Sequence, residues 1–233
     1  MNLFYIPEIT TDQKQITFSE EESKHACRVL RMKNGDQLQI LDGRGGTFDA
    51  TIINDHPKHT LVSIDAFDFQ EEPATEIHIA ICPTKNMDRM EWFLEKATEL
   101  GVTEVSFLLS SNSERKVLKL DRLEKIAISA LKQSKRKYIP KLNELVSVSA
   151  FLEKHPEGAV AHCYPAEKKK LESVFKPKNF PILIGPEGDF SVAEVALLTS
   201  KNYAVIGLGE NRLRTETAGL YVCMQAVLLS LGS

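Results

Sequence analysis

The sequence predicts an α/β protein in which a small β-barrel is followed by a larger domain with a mostly parallel sheet. Residues 1 to about 70 contain short strands separated by polar or glycine turns, and from Ile77 onward apolar strands alternate with helical segments. Two of the later strands, which end near Ile184 and Ile206, run directly into glycine turns. Because ligands of open α/β sheets bind beyond the carboxyl ends of strands, these turns predict a ligand site.

The amino-terminal domain is predicted from short strands, one helix and a glycine turn. The segment Ser19–Arg31 has an acidic first turn and basic residues at its end, which suits the helix dipole. The run Asp42–Gly46 joins two alternating strands and no helix follows it, so a hairpin turn is favoured over a phosphate-binding loop. The predicted strands lie at 16–18, 36–42, 47–53 and 60–67.

A linker and an alternating pattern of strands and helices define the second domain. The acidic segment Asp68–Glu76 contains Pro73 and interrupts the strand pattern, which predicts a domain boundary after residue 72. Ser191 and Glu194 form a capping box at a helix start, directly after the first glycine turn. The strands are predicted at 77–82, 104–110, 158–164, 180–185 and 204–208, and the helices at 87–100, up to 133, at 191–200 and at 215–231.

Composition argues against several classes of protein. An apolar content of 42% in 233 residues is enough for packed cores. No apolar run has membrane-spanning length and the amino terminus does not resemble a signal peptide, so a cytoplasmic location is expected. The four cysteines form no CxxC pair, and His56 and His59 have no third ligand nearby in the sequence, so neither disulfides nor a metal site is predicted.

Positive charge is concentrated in one segment. The formal net charge of -3 argues against indiscriminate coating of nucleic acid. From Arg115 to Lys141, however, ten Lys or Arg stand against two acids, and three basic residues precede Tyr138 directly. This excess favours contact with RNA phosphates, and a solvated helix face is the alternative.

Five segments together resemble one known family. GPEGDFS (185–191) and LGENRLRTETA (208–218) are similar to the two cofactor signatures of the RsmE family of 16S ribosomal RNA uridine-N3 methyltransferases, which belong to the SPOUT class. The other three segments lie at 25–43, 85–102 and 133–140, so the resemblance covers nearly the whole chain. Asp189 departs from the family pattern, which often has a second glycine there, and Glu210 and Asn211 lie where the pattern varies.

The resemblance implies a fold, an activity and an assembly. The fold is a PUA-like, RNA-binding β-barrel at 1–72 and a SPOUT methyltransferase domain with a deep trefoil knot at 73–233. The activity is methyl transfer from S-adenosylmethionine to N3 of a uridine in 16S ribosomal RNA, free or in the assembled small subunit. A homodimer joined through the apolar segment Thr215–Leu231 is also implied, and a core helix of a monomer is the alternative.

The same resemblance and the chemistry of uridine assign candidate site residues. Arg214 and Arg136 are candidates for stabilising the uridinate that forms when the imino proton leaves, because arginine can bond the uracil oxygens while it remains charged. Glu187 or Glu216 would take the proton or hold an arginine in place. The cofactor-binding candidates are Ile184, Gly185, Pro186, Glu187, Gly188, Leu208, Gly209, Asn211, Leu213 and Thr215. The RNA-binding candidates are Arg28, Arg31, Arg115, Lys135, Arg136 and Lys137.

Three alternatives to these readings stay open. Arg28 and Arg31 are explained equally by exposed charges at a helix end. A noncatalytic RNA-binding or ribosome-assembly protein would have no affinity for S-adenosylmethionine. A phosphotransferase that uses GPEG as a phosphate loop is disfavoured, because no GKS or GKT sequence follows and no DxD pair is present to hold magnesium.

Overall fold

The computed structural model describes residues 1–231 and divides the chain into two compact units. The first unit comprises 1–72 with 131–139, and the second comprises 73–130 with the chain from 140 onward. The domain boundary predicted from sequence places 131–139 in the second domain. This segment belongs to the first unit because it bonds there: the Gly45 amide donates to the Lys137 carbonyl at 3.0 Å, and the Tyr138 hydroxyl donates to the Gln70 carbonyl at 2.8 Å.

A five-stranded sheet forms the first unit. Its strands are β1 (Asn2–Tyr5), β2 (Gln15–Thr17), β3 (Gln37–Leu41), β4 (Gly46–Asn54) and β5 (Leu61–Phe69). They lie in the order β1-β3-β4-β5-β2, and all pairs are antiparallel except β1 with β3. The hairpin predicted at Asp42–Gly46 is confirmed, since Leu41 of β3 lies opposite Thr47 of β4. Strand β5 extends to Phe69, so the linker begins later than the sequence predicted.

The helix predicted after β2 closes the core of this unit. Helix α1 (Glu20–Lys24) is capped by Ser19, whose hydroxyl accepts from the Glu22 amide at 3.2 Å, and it continues as a π-helical turn over His25–Val29. Ala26 in this turn is fully buried in the same apolar cluster as Phe4 and Phe48. The helical segment is therefore held by packing against the sheet, which a five-residue helix needs for stability.

A six-stranded parallel sheet forms the second unit. Its strands are β6 (His78–Ile81), β7 (Glu104–Leu109), β8 (Lys141–Ser147), β9 (Gly158–Ala161), β10 (Ile182–Ile184) and β11 (Tyr203–Ile206). They lie in the order β11-β9-β10-β6-β7-β8, and the predicted mostly parallel sheet is confirmed. Every residue of β6 and β10 is buried, as in parallel sheets that are covered on both faces.

Two of the helix boundaries in this unit lie at signals that the sequence carries. The helices are α2 (Met87–Leu100), α3 (Leu120–Ser134), α4 (Val148–Lys154), α5 (Val192–Ser200) and α6 (Thr215–Leu231). Helix α2 ends at Gly101, whose φ is 100°, and the capping box of Ser191 and Glu194 starts α5. Gly219 lets α6 pack closely, since a Cβ there would approach side-chain atoms of Ile81 and Phe93 at 2.8 Å. Within residues 1–231, no helix combines the length and apolar character needed to span a membrane.

Candidate active site

A cavity of about 560 Å³ lies at the carboxyl ends of β9, β10 and β11. Its size falls within the range of small-molecule sites, about 300–1,000 Å³. In the sheet β9 lies between β10 and β11, so the end of β9 separates the two glycine loops that the sequence singled out. His162, Cys163 and Lys168 therefore line the cavity. Sequence reasoning missed these three residues because the order of strands cannot be read from the chain.

The cavity wall includes all the predicted cofactor residues except Gly188. The carbonyl of Gly188 instead accepts a hydrogen bond from Asn112 Nδ2 at 3.3 Å, in the loop after β7. Arg214 lines the cavity as well, together with Asp189. Arg136 belongs to the first unit and is not part of this wall.

Hydrogen bonds from three directions hold the first glycine loop (Gly185–Phe190). The Glu187 carboxylate accepts from the Lys85 amide at 3.0 Å, and Arg212 donates to the Glu187 carbonyl at 3.1 Å. Asp189 has a φ of 64°, and its carboxylate accepts from the Phe190 and Cys163 amides, each at 2.7 Å. Aspartate tolerates this left-handed backbone better than most residues, which explains its use where the family often has glycine.

The second glycine loop (Gly207–Arg214) presents unpaired backbone to the cavity. From Leu208 to Leu213, no backbone N–H or C=O makes a hydrogen bond within the described part of the chain. Gly209 has a φ of 104°, which turns this loop. At its end the Arg214 carbonyl accepts from the Ala218 amide at 2.8 Å and so starts α6, while the Thr215 hydroxyl donates to the Gly185 carbonyl at 3.1 Å. The two loops are thus tied together beside a row of free backbone donors and acceptors.

Arg214 is the cation that the site leaves available. Its guanidinium makes no hydrogen bond or ion pair with any residue from 1 to 231, although it lines the cavity. By contrast Lys168 donates to the His162 carbonyl at 2.8 Å, and Arg212 is bonded to the first glycine loop. Glu216, the other carboxylate considered from sequence, does not line the cavity; it is buried, with Oε1 at 3.7 Å from Arg89 Nε of α2.

Hydrogen bonds also fix the amino-terminal end of α5, which lies beside the site. The Glu194 carboxylate accepts from the amides of Ser191 and Ser111, both at 2.8 Å. Burial opposes its charge, but these bonds hold the pKa of Glu194 below its ordinary value. The carboxylate therefore joins the start of α5 to the loop after β7.

The predicted RNA-binding residues of the first unit differ in exposure and in whether their side chains already have a partner. Arg28 and Arg31 are exposed and have no ion pair within the described residues. Lys135 is exposed in a left-handed conformation with a φ of 57°. The Lys137 ammonium, however, donates to the Thr47 hydroxyl within the same unit.

Arg115 in the second unit connects its own segment, after β7, to the segment after β6. Its guanidinium donates to the carbonyls of Thr84 and Lys85 at 3.2 and 2.6 Å. The amide of Lys85 in turn donates to the Glu187 carboxylate, so Arg115 supports the first glycine loop indirectly. The structure thus gives Arg115 a local role that its place in a basic run did not indicate.

Comparisons with known proteins agree with this architecture. Residues 70–227 match the model of an RNA methyltransferase domain, and residues 18–65 match that of an RNA methyltransferase PUA domain. The chain therefore combines a PUA domain of the RNA methyltransferase type with an RNA methyltransferase domain, and the fold class and enzyme class predicted from sequence are confirmed. The strand order is consistent with the trefoil knot, which stays a prediction of the resemblance.

Relatives that match over nearly their whole length show which family this is. The chain is 30% identical to ribosomal RNA small subunit methyltransferase E of Rickettsia conorii, over 98% of this chain and 96% of that protein. A probable rRNA-methyltransferase of Porphyromonas gingivalis has a TM-score of 0.90 at 39% identity, covering 100% of this chain and 99% of its own. The ribosomal RNA small subunit methyltransferase E of Neisseria gonorrhoeae, solved with S-adenosyl methionine, has a TM-score of 0.86 at 25% identity, covering 98% of each chain. The chain belongs to the ribosomal RNA small subunit methyltransferase E family.

Proposed function

We propose that this protein transfers a methyl group from S-adenosylmethionine to N3 of a uridine in 16S ribosomal RNA of the small subunit. One observation carries the proposal: a cavity is walled by unpaired backbone groups and by the unpaired guanidinium of Arg214. The names of the family members and the cofactor bound to one of them agree with it.

The cavity residues suit the cofactor. Ile184, Leu208 and Leu213 provide apolar surface for an adenine, and the free backbone of the second glycine loop can bond its edge. The wall also carries both signs of charge, since Glu187 and Asp189 accompany Arg212, Arg214 and Lys168. The amino-acid part of S-adenosylmethionine carries an ammonium and a carboxylate, and each of these groups is stabilised by a partner of opposite charge. When bound, S-adenosylmethionine supplies an electrophilic methyl group on a sulfonium.

Arg214 is proposed to make uridine N3 reactive. The neutral imino nitrogen is a poor nucleophile, so its proton must pass to water as the bond from N3 to the methyl carbon forms. The bond from that carbon to the sulfonium sulfur breaks in the same step and leaves S-adenosylhomocysteine. A guanidinium against the uracil O2 or O4 stabilises the negative charge that remains, and the amino end of α6 adds a favourable dipole. The Glu187 carboxylate already accepts from the Lys85 amide, which favours a role in holding the loop over one as proton acceptor.

RNA binding and assembly complete the proposal. Arg28 and Arg31 would contact RNA phosphates from the first unit. The working unit would be a homodimer joined through α6, because this helix exposes an apolar stripe whose members are 42–78% exposed and recur every three or four residues. The stripe consists of Tyr221, Met224, Leu228 and Leu231. A ribosomal RNA substrate would place the protein in the cytoplasm.

Nucleoside analysis tests the activity. Mass spectrometry of 16S ribosomal RNA from cells that lack the protein should show loss of one 3-methyluridine, and the wild-type gene should restore it. The Arg214→Ala variant, expressed at the same level, should restore little. Unchanged 3-methyluridine in the deletion strain would contradict the proposal and favour a noncatalytic RNA-binding protein. A thermal-shift assay distinguishes the phosphotransferase alternative. S-adenosylmethionine should raise the melting temperature of a methyltransferase, whereas ATP should raise that of a phosphotransferase.

A further inference from the structure

The last five residues of β5 form an exposed strand edge in the first unit, here called the β5 edge (Asp65–Phe69). Strand β2 pairs with β5 only over Leu61–Ser63, whereas β4 pairs along it as far as Phe69. Every residue of the β5 edge is exposed, and in the part of the chain that the structure describes β4 is its only partner strand. An uncovered edge can bind an extended peptide through backbone hydrogen bonds.

Two aromatic side chains of the β5 edge are only partly covered. Phe67 and Phe69 are 46% and 55% exposed, and their rings are stacked with 6.5 Å between centroids. Phe67 also packs on the buried ring of Phe48, with 4.8 Å between centroids. Phe69 lines a cavity of about 630 Å³ together with Tyr138. The β5 edge therefore offers apolar surface as well as backbone.

The chain along this edge is acidic. From Asp65 to Glu76 it carries five acids and no Lys or Arg. Glu71 and Glu72 line the cavity beside Phe69, and neither forms an ion pair among the described residues. Burial raises the pKa of the Tyr138 hydroxyl, and nearby carboxylates, first that of Glu72, raise it further. The cavity is thus a place of negative potential.

The positive charges beside the cavity already have partners. Arg44, the cation among the lining residues, lies 3.8 Å from the Asp42 carboxylate and donates to the Ile9 carbonyl at 3.4 Å. Lys137 of the neighbouring segment donates to the Thr47 hydroxyl. The charge that these contacts leave without a partner is that of the two glutamates.

This negative charge limits what can occupy the β5 edge. Carboxylates repel RNA phosphates, and a second copy of the same strand would bring the same acids, an arrangement that prevents edges from pairing with each other. A strand with Lys or Arg at alternate positions instead gains backbone hydrogen bonds, carboxylate partners and aromatic faces for its cations.

We propose that the β5 edge binds a basic, extended segment of a partner protein as an added strand. One Lys or Arg side chain of that segment enters the cavity, between the carboxylates of Glu71 and Glu72 and the rings of Phe69 and Tyr138. The surface belongs to the first unit, so it gives the enzyme a protein partner in addition to its RNA substrate.

Charge-neutralising variants test the recognition. The full-length protein should bind an end-capped peptide of alternating lysine and valine, measured by calorimetry, and should not bind the counterpart with glutamate for lysine. Glu71→Gln with Glu72→Gln should raise the Kd about tenfold, the scale of two exposed ion pairs. Asp121→Asn with Glu124→Gln removes the same charge from exposed positions of α3 and should leave the Kd unchanged. Equal losses in both double variants would overturn the proposal.

N-methylated peptides test whether the bound segment is an added strand. A strand at an edge directs only every second N–H toward its neighbour. Methylation of one alternating set of backbone nitrogens should therefore abolish binding, and methylation of the other set should leave it intact. Hydrogen exchange at residues 65–69 should slow when the unmodified peptide binds. Equal binding of the two methylated peptides would contradict strand addition.

Phe69→Ala separates a protein partner from RNA. Because Phe69 is largely exposed, the variant should keep its melting temperature, and its Kd for the lysine peptide should rise about threefold or more through the lost cation–π contact. Its affinity for polyuridine should stay the same. If Phe69→Ala weakened polyuridine binding and left the peptide affinity unchanged, the β5 edge would serve RNA and the proposal would be wrong.

Discussion

Arg214 shows how one side chain is kept available at the junction of a loop and a helix. Its backbone is fixed, because its carbonyl accepts the first hydrogen bond of α6, while its guanidinium faces the cavity without a partner in the described chain. Arg212, two residues earlier, is bonded to the Glu187 carbonyl. The two arginines are close in sequence, yet Arg212 is bonded to the first glycine loop and the guanidinium of Arg214 has no partner among the described residues.

Replacing Arg214 should slow the chemical step more than binding. Arg214→Ala should lower the single-turnover rate by about a hundredfold or more, the usual scale for removing one charge-stabilising donor. Lysine should rescue only partly because it lacks the planar fork. Raising the pH should recover part of the loss in the alanine variant, since more uridine is then ionised. Arg212→Ala is the matched control and should weaken cofactor binding more than it slows transfer. An alanine variant at position 214 with normal binding and the parental rate would remove Arg214 from the mechanism.

A second residue, His78, is expected to make stability depend on pH. His78 is buried at the start of β6, 2.8 Å from the Ser106 hydroxyl, and burial lowers its pKa to about 4 despite the nearby Glu104. Between this value and the ordinary value of about 6.5, the unfolded chain binds the proton and the folded chain does not. The contribution to stability is thus complete above pH 6.5 and is lost as the pH falls toward 4.

Denaturant unfolding at two pH values measures this contribution. From pH 7.5 to 5.0 the His78 contribution to the free energy of unfolding should fall by on the order of 2 kcal/mol. His78→Gln keeps an amide that can bond Ser106 and cannot titrate, so its loss over the same interval should be smaller by that amount. Burial also lowers the pKa of His155, so some dependence on pH should remain in the variant. Equal losses in both proteins would show that His78 is not the titrating group.

At the scale of elements, the second glycine loop depends on a left-handed backbone at Gly209. Gly209 has a φ of 104°, and a Cβ added there would meet nothing within 4 Å. A substitution there therefore acts on the free protein through backbone strain and not through a clash with other residues. Gly35 in the first unit has a φ of 91° and equally open surroundings. It provides a matched control.

Both glycine substitutions should destabilise the fold alike, but only one should weaken cofactor binding. Gly209→Ala and Gly35→Ala should each cost about 1–2 kcal/mol, because a left-handed alanine is strained. The Kd for S-adenosylmethionine, measured by calorimetry, should rise several-fold in Gly209→Ala and stay unchanged in Gly35→Ala. Equal cofactor affinity in the two folded variants would place the site elsewhere.

The π-helical turn after α1 provides a separate test of RNA binding. Arg28→Ala with Arg31→Ala should weaken binding to 16S ribosomal RNA and reduce the slope of log K against log salt by about 0.7–0.9 for each lost phosphate contact. Lys24 and Lys33 lie in the same unit and are paired with Glu20 and Asp55, so their double alanine variant removes the same charge. Its salt slope should change little. Equal changes in both double variants would indicate a general effect of net charge.

At the scale of the whole molecule, the exposed stripe on α6 predicts a dimer. Light scattering should report about twice the 26.1 kDa chain mass at micromolar concentration. Leu228→Glu should shift the protein toward monomer and lower its activity, because a charge would then lie within an apolar interface. Val192→Glu is the control, since Val192 is 69% exposed but lies at the start of α5. A wild-type monomer with full activity would contradict the dimer.

The sequence by itself determined what depends on neighbouring residues. The left-handed Gly101 that ends α2, the capping box of Ser191 and Glu194 and the hairpin at Asp42–Gly46 all follow from local hydrogen bonds and backbone preferences. The glycine loops after β10 and β11 were also identified from sequence, because their motifs are contiguous and match a family.

Only the tertiary structure decided which segments meet. The insertion of β9 between β10 and β11 brings His162 to the cavity, the pairing of Gly45 with Lys137 draws 131–139 into the first unit, and Arg115 finds the carbonyls of Thr84 and Lys85. Gly188, although within a recognised motif, is tied to Asn112 and does not line the cavity. Each of these outcomes depends on hydrogen bonds between residues far apart in sequence, and a local pattern does not specify such partners.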